Sequence, residues 1–262
     1  MAYYRRPWAL YAFVVAAYAF LFAPIVYVVA NSFNADPSLV GWGGATFKWY
    51  HTAWNDSLVR DAAVNSVEIA IAVTLVSATL GTITALGVQR SSRWGRMVLN
   101  ATTYTRIVIP ELVLALALLI FMTKIGFPRG KLSLIVGHSI LDSAYVAVIV
   151  SARLANRDIF TDEAARDLGA TPFRAFRRVV LPDIMPAIVA GSLLAFTFSL
   201  DDVVTSFFLN GSVNTLPLVI LSLIRFSVTP EVNAIGVMLM TVTTTLMVCF
   251  LVINHRWARS GA

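Results

Sequence analysis

Five carboxylates stand within or at the ends of strongly apolar stretches of this chain: Glu68, Glu111, Asp142, Asp201 and Asp202. A charged side chain costs roughly 2.5–3.5 kcal/mol at the centre of a membrane helix on insertion scales, so acids retained there point to a wet pathway or to a partner group. An acid-lined route without basic partners beside it suits a cationic solute better than sulfate, phosphate or an anionic sugar. Adjacent helical residues point about 100° apart, so Asp201 and Asp202 are not expected to face one narrow seam together; one would line a cavity while the other caps a helix or meets a partner. For Glu68 and Asp142 the plainer reading is solvation at an interface or a hydrogen bond to a neighbouring helix. Phe198, Phe207, Phe208 and Trp49 are the aromatic rings available to contact such a cation, and ordinary packing explains each of them equally well.

A second constellation is TDEAARDLGATPFRAFRRVVLPDIMPAIVAG, Thr161 to Gly191, between two apolar runs. Thr161 or Asp162 can cap a first short helix, Asp162 and Glu163 suit its positive end, and Gly169 supplies a left-handed terminating position. Thr171 then caps a second helix with Pro172 at its first position, and Pro182 is expected to stop that helix after Leu181. Its apolar stripe is Phe173, Phe176 and Val180, with Arg174, Arg177 and Arg178 mostly off it. Such a basic amphipathic segment fits either an anionic lipid surface or insertion in a partner's groove.

The elements that must position these residues are membrane spans. With 58% hydrophobic and only 13% charged residues in 262, the composition lies far from the soluble balance of about 25% charged. Six stretches reach the ~20 apolar residues a helix needs to cross ~30 Å of hydrocarbon: Trp8–Ala30, Ala62–Val88, Ile107–Ile125, Leu134–Leu154, Ile184–Leu200 with an extension toward Leu209, and Ala234–Ile253. Pro24 and Pro110 fall inside spans, where neighbouring helices or water satisfy the freed carbonyls. The first run is longer than the ~7–15 residues of a signal-peptide core, so it is expected to be retained. The net charge of +6 is a topology signal. With the amino terminus inside, Arg5, Arg6, Arg90, Arg93, Arg96, Arg106, Arg153, Arg157, Arg166, Arg174, Arg177, Arg178, Arg256 and Arg259 all fall on the inner side, leaving six bases outside. Both termini are therefore expected in the cytoplasm, and nucleic acid is not needed to account for the charge. Trp42, Trp49, Tyr50 and Trp54 in the first outer loop either anchor at the headgroups or pack a small cap. The whole of 1–262 reads as a single transmembrane domain, with the structured loop at about 155–183.

No GxxxxGK[ST], HExxH or GxSxG is present, so no catalytic residue is assigned. His51, His138 and His255 lie in different segments and Cys249 is the single cysteine, which gives no basis for a metal site or a disulfide framework.

EAARDLGA followed by FRRVVLPDIMPAIVAG resembles the EAA loop of permease subunits in type I ATP-binding-cassette importers. The resemblance implies an all-α, MetI-like fold of six transmembrane helices in a bacterial inner membrane, with the loop as a coupling helix held in a cleft of a separate ATPase dimer. The implied coupling residues are Glu163, Ala164, Ala165, Asp167, Gly169, Ala170, Phe173, Phe176, Arg177 and Pro182. FKWY (Phe47–Tyr50), FSLDDVVTSFFLNG (Phe198–Gly211), TLPLVILSLIR (Thr215–Arg225) and SVTPEVNA (Ser227–Ala234) extend the likeness over nearly the whole chain, to spermidine/putrescine permeases of the second-subunit type. That implies a polyamine cargo delivered by an extracytoplasmic binding protein, and a second, homologous permease beside this one in the lipid. It also implies no cofactor in this chain, with ATP and Mg bound by the ATPase. The implied solute pathway is Glu111, Asp201, Asp202, Trp49 and Phe198. The chain departs from the commoner family pattern in having Glu rather than Asp after Pro110, which keeps the charge and lengthens the arm.

Overall fold

The structure, a computed structural model, describes residues 8–156, 164, 167–226 and 228–260. Its helices are α1 (Trp8–Asn31), α2 (Lys48–Asn55), α3 (Ser57–Arg90), α4 (Arg93–Val108), α5 (Glu111–Lys124), α6 (Lys131–Ala155), α7 (Pro172–Asp201), α8 (Val204–Leu209), α9 (Leu216–Phe226) and α10 (Pro230–Ser260). By length and composition α1, α3, α6, α7 and α10 can each cross a membrane, and the pair α4–α5 makes a sixth crossing if it counts as one span. Five of the six expected spans are thus single helices among the described residues, and the third expected stretch, Ile107–Ile125, is divided between the bent pair α4 and α5.

Two compact units are distinguished, residues 1–60 with 220–242 and residues 61–219 with 243–262. In the first, α1 buries only Asn31, and a small cap follows it. Asn34 donates to the Gly41 carbonyl at 2.7 Å, and the Trp49 indole N–H donates to the Asn34 carbonyl at 2.7 Å. Phe33, Phe47 and Tyr50 stack with centroids 5.2–6.1 Å apart. Trp42 and Trp54 stay exposed, so of the expected aromatics Trp49 and Tyr50 are the ones that pack the cap. Within the cap, the Ser38 hydroxyl and amide bonded to Asp36 hold its carboxyl below the ordinary range.

The second unit is organised on α6 and α7. Val146, Val150 and Leu154 of α6 form one buried cluster with Val180, Ile184, Ala187 and Ala195 of α7 and with Ala85 of α3. Close approach is enforced by small residues: a Cβ on Gly191 would sit 3.1 Å from Val146 Cα, and one on Gly81 would sit 2.8 Å from the Ser143 carbonyl. At the loop end Arg153 adds a polar tie, donating from Nη2 to Asp183 Oδ1 at 2.6 Å and from Nε to the Asp183 carbonyl at 3.1 Å.

Two expectations about helix ends are corrected. Pro182 does not stop a helix: the segment beginning at Pro172 runs on to Asp201, passing through a π turn at Phe176–Val180. In that turn the Leu181 N–H bonds the Phe176 carbonyl, five residues back. The wider turn shifts the bonding register just where a proline ring would otherwise meet the carbonyl four residues before it. Pro110 is not inside a helix either. Ile109, restricted by the proline that follows, is extended (φ −62°, ψ 129°), so α4 ends at Val108 and α5 begins at Glu111, bent by 108°.

Candidate functional site

Two helix breaks supply the acids of a chamber in the second unit. At the first, Glu111 opens α5, where the unpaired N–H groups of a helix start favour a carboxylate. At the second, α7 ends at Asp201 and Asp202 is extended (φ −65°, ψ 115°) before α8 begins. Asp202 Oδ1 accepts from the Ser206 amide at 2.9 Å, which places a carboxylate on the start of α8 as well. Thr205 of α8 donates to Glu111 Oε1 at 3.4 Å, joining the two breaks. Irregular backbone at membrane depth is tolerated where it lines a cavity, and a cavity of about 360 Å³ lies here, bounded by Glu111, Leu141, Asp142, Tyr145, Phe198 and residues 201–204.

Asp201 and Asp202 therefore both line one cavity. The helical 100° rule does not apply to them, because the helix ends between them. Phe198 forms part of the wall and meets Tyr145 edge-to-face at 5.0 Å. Glu111, Phe198 and Asp201 are exposed on the open side, while Asp142 is only 4% exposed. Glu111, Asp142 and Asp202 line the same cavity, and Thr205 bridges the break that carries Glu111 to the helix that Asp202 caps.

Behind the acids His138 pins three elements together. Its Nδ1 lies 2.9 Å from Ser199 Oγ of α7, and its Nε2 lies 3.2 Å from Ser206 Oγ of α8 and 3.7 Å from Asp202 Oδ2. His138, Asp142 and Tyr145 had a legible signal, since positions i, i+4 and i+7 share one helix face. Arg106, counted from the sequence with the inner segments, lies in the last turn of α4 and donates to the Ile140 carbonyl and to Ser143 Oγ of α6. Among the other expected pathway residues, Trp49 belongs to the cap of the first unit. Glu68, for which interfacial solvation is the plainer expectation, pairs with Lys131 in an exposed ion pair, and the aromatic candidates Phe207 and Phe208 pack edge-to-face on each other.

Of the loop residues, Glu163 and Ala165 lie outside the described residues. Asp167 is exposed and Gly169 has φ +82°, the left-handed conformation that a terminating glycine supplies. Thr171 Oγ1 accepts from the Arg174 amide, with Pro172 beginning the helix. The apolar stripe is shorter than expected, because Val180 is buried in the α6–α7 cluster and Phe176 packs against it. Phe173 remains outside at 71% exposure, joined by Leu168 at 90%.

Residues 77–259 match the family of binding-protein-dependent transport system inner membrane components. The spermidine/putrescine transport system permease protein PotC of Haemophilus influenzae is 36% identical over 246 residues, covering 94% of this chain and 96% of its own. The putrescine transport system permease protein PotI of Escherichia coli is 37% identical over 244 residues, 90% of this chain and 86% of its own. Among solved structures, a bacterial ABC transporter involved in the import of the acidic polysaccharide alginate superposes with a TM-score of 0.76 at 15% identity over 96% of each chain. The MetNI methionine ABC transporter in an inward-facing conformation superposes with a TM-score of 0.61 at 19% identity, over 77% of this chain and 98% of its own. Both structural likenesses concern the fold. With its broken third span, its acid-lined chamber and a family match over most of its length, the chain belongs to the inner membrane components of binding-protein-dependent transport systems, and is a multi-pass permease rather than an enzyme.

Proposed function

We propose that this chain forms half of the translocation pathway of an ATP-driven polyamine importer. The observation that carries the reading is the chamber itself. Four carboxylates and two aromatic rings converge in it, and the exposed side chains of Glu111, Phe198 and Asp201 leave one side open for a second, homologous permease subunit to complete. Flexible polycations are recognised by acids that pair their ammonium groups and by rings that contact the charge and the methylenes. The names of the PotC and PotI relatives support the same cargo. An extracytoplasmic binding protein would deliver the solute, and both termini of this chain would lie in the cytoplasm.

Power comes from a separate ATPase dimer that binds ATP and Mg, docked on the loop around Glu163–Pro182. Glu163, Ala164, Ala165, Asp167, Gly169 and Ala170 form its first part, and Phe173, Arg177 and the start of α7 form its second. Support for this reading lies in the exposed Leu168 and Phe173 beside the exposed Arg174, Arg177 and Arg178, an apolar knob ringed by charge. From this loop α7 runs unbroken through its π turn to Asp201, roughly 30 Å from Val180 at 1.5 Å per residue. Movement of the ATPases is thereby transmitted as rocking of the α6–α7 pair, which opens the chamber alternately to either side.

The test of the cargo is uptake of labelled spermidine and putrescine by the whole transporter in proteoliposomes supplied with its binding protein. Glu111→Gln combined with Asp201→Asn is expected to lower uptake at least about tenfold, since each lost charge-assisted contact is worth about 1.5–3 kcal/mol. The ATPase should still co-purify at the wild-type level. Unchanged uptake would overturn the acidic pathway.

A further inference from the structure

Asp142 differs from the other three acids of the chamber. Glu111 is met by Thr205 and Asp202 by the Ser206 amide, and Asp201 lies at the exposed mouth. Asp142 is only 4% exposed, and its Oδ2 is buried without a hydrogen-bond partner among the described residues. The bases nearest to it along the fold are engaged elsewhere. His138, one turn before it on α6, is flanked by Ser199 and Ser206. Arg106 is bonded to the carbonyls of Thr102 and Ile140 and to Ser143 Oγ. Ser139, three residues before Asp142, also has a buried hydroxyl without a partner among the described residues.

A buried carboxyl oxygen left without a partner costs its desolvation, and native structures keep such groups chiefly at functional sites or where an ion or water meets them. Asp142 is also a wall residue of the chamber, one turn from Tyr145, whose ring meets Phe198 edge-to-face. We propose that Asp142 is a further solute-contacting and specificity-determining residue: a deep subsite that takes one ammonium group of the polycation while the acids at the helix breaks hold the others. The inference rests on the polyamine reading above and deepens it. A triamine engages the deep and the outer sites together, whereas a diamine is satisfied largely at the outer acids. Asp142 therefore sets the preference for the longer cation.

The experiment uses the complete transporter with its binding protein in proteoliposomes and compares wild type, Asp142→Asn and Asp142→Leu. For Asp142→Asn the half-saturating spermidine concentration is expected to rise about ten- to hundredfold, the equivalent of one charge-assisted hydrogen bond. Putrescine should be affected less, so that the spermidine-to-putrescine uptake ratio falls. The thermal midpoint of the assembled complex gives an independent reading. Because Asp142 Oδ2 has no partner to lose among the described residues, both substitutions should leave the midpoint unchanged or raise it, and both should shrink the stabilisation that added spermidine confers on wild type. Wild-type half-saturation in Asp142→Asn would overturn the proposal. So would a lowered midpoint with an unchanged spermidine-to-putrescine ratio, the mark of a structural role. A wild-type transporter that moves neither amine overturns the polyamine reading and this one together, whereas failure of the Asp142 arms alone leaves the polyamine reading standing.

Discussion

At the loop end of α6 and α7 the side chains are matched. Val150, Leu154, Val180 and Ile184 interlock, Arg153 is tied to Asp183, and a cavity of about 250 Å³ there has Gln89, Arg96 and Ser151 as its polar lining beside apolar residues. At the other end the same pair of helices brings several carboxyl groups to one cavity, breaks at Asp202 and leaves a carboxyl oxygen without a partner among the described residues. The difference separates two tasks. An element that transmits force needs satisfied, continuous packing, because a packed core moves as a body. An element that receives a solute retains unsatisfied groups, and the solute supplies what the fold withholds. Activity is then bought with stability, and the two ends should respond to substitution in opposite ways.

The largest expected effect tests the transmitting end. Gly169 has φ +82° and, among the described residues, no atom lies within 4 Å of where its Cβ would sit. Gly169→Ala therefore carries only the left-handed backbone cost of about 1–2 kcal/mol and should leave much of the uptake intact. Gly169→Asp adds a charge beside Leu168 and is expected to abolish uptake while the protein remains in the membrane. Immunodetection in membrane fractions alongside transport separates loss of coupling from loss of the protein, and normal transport by Gly169→Asp would remove the docking reading.

How far each region was legible follows from the range of its interactions. The loop is written in local signals, so Thr171 as cap, Pro172 as first residue and Gly169 as left-handed turn could be read from neighbours in the chain. Pro182 misled because a proline stops an α-helix, and the π turn that removes the conflict has no local signature. Phe176 and Val180 misled for the opposite reason: an apolar stripe does not say whether it meets a partner or the chain's own α6. The chamber is assembled from α5, α6, α7 and α8, so its acids could be listed but not brought together. From the sequence the fifth span is expected to end at Leu200 or run on toward Leu209, with one Asp of the pair capping a helix. The helix ends at Asp201 and Asp202 caps α8, whereas that both acids line one cavity was not legible. The break at Pro110, by contrast, follows from the restriction on Ile109 and needed only that rule.

A second test reaches the joint between the two ends. A Cβ on Gly81 would lie 2.6 Å from Val146 Cβ and 2.8 Å from the Ser143 carbonyl oxygen, which is backbone and cannot step aside. Gly81→Ala must push α3 away from α6 next to Asp142, at an expected cost of about 1–3 kcal/mol. Gly137→Ala is the control, because its Cβ meets chiefly the flexible end of Leu209, at 2.5 Å, and then a Thr205 methyl at 3.0 Å. The thermal midpoint of the purified complex should fall further for Gly81→Ala than for Gly137→Ala. The reverse order would mean that the α3–α6 contact yields more readily than the α6–α8 contact.

The smallest effect decides whether the loop end owes its rigidity to packing or to charge. The Arg153 and Asp183 side chains are 51% and 31% exposed, and an ion pair in such surroundings is worth about 0–1 kcal/mol. Asp183→Asn also leaves the backbone carbonyl that accepts from Arg153 Nε at 3.1 Å. If the buried cluster carries the load, Asp183→Asn should leave the ATP hydrolysed per solute imported close to wild type, and Arg153→Ala, which loses both bonds, should raise it only slightly. Val180→Ala removes two methyl groups from that cluster and should raise the ratio more than either. Measuring hydrolysis and uptake on the same vesicles gives the ratio directly. A large uncoupling by Asp183→Asn would shift the transmitting role from the apolar interface of α6 and α7 to its polar rim.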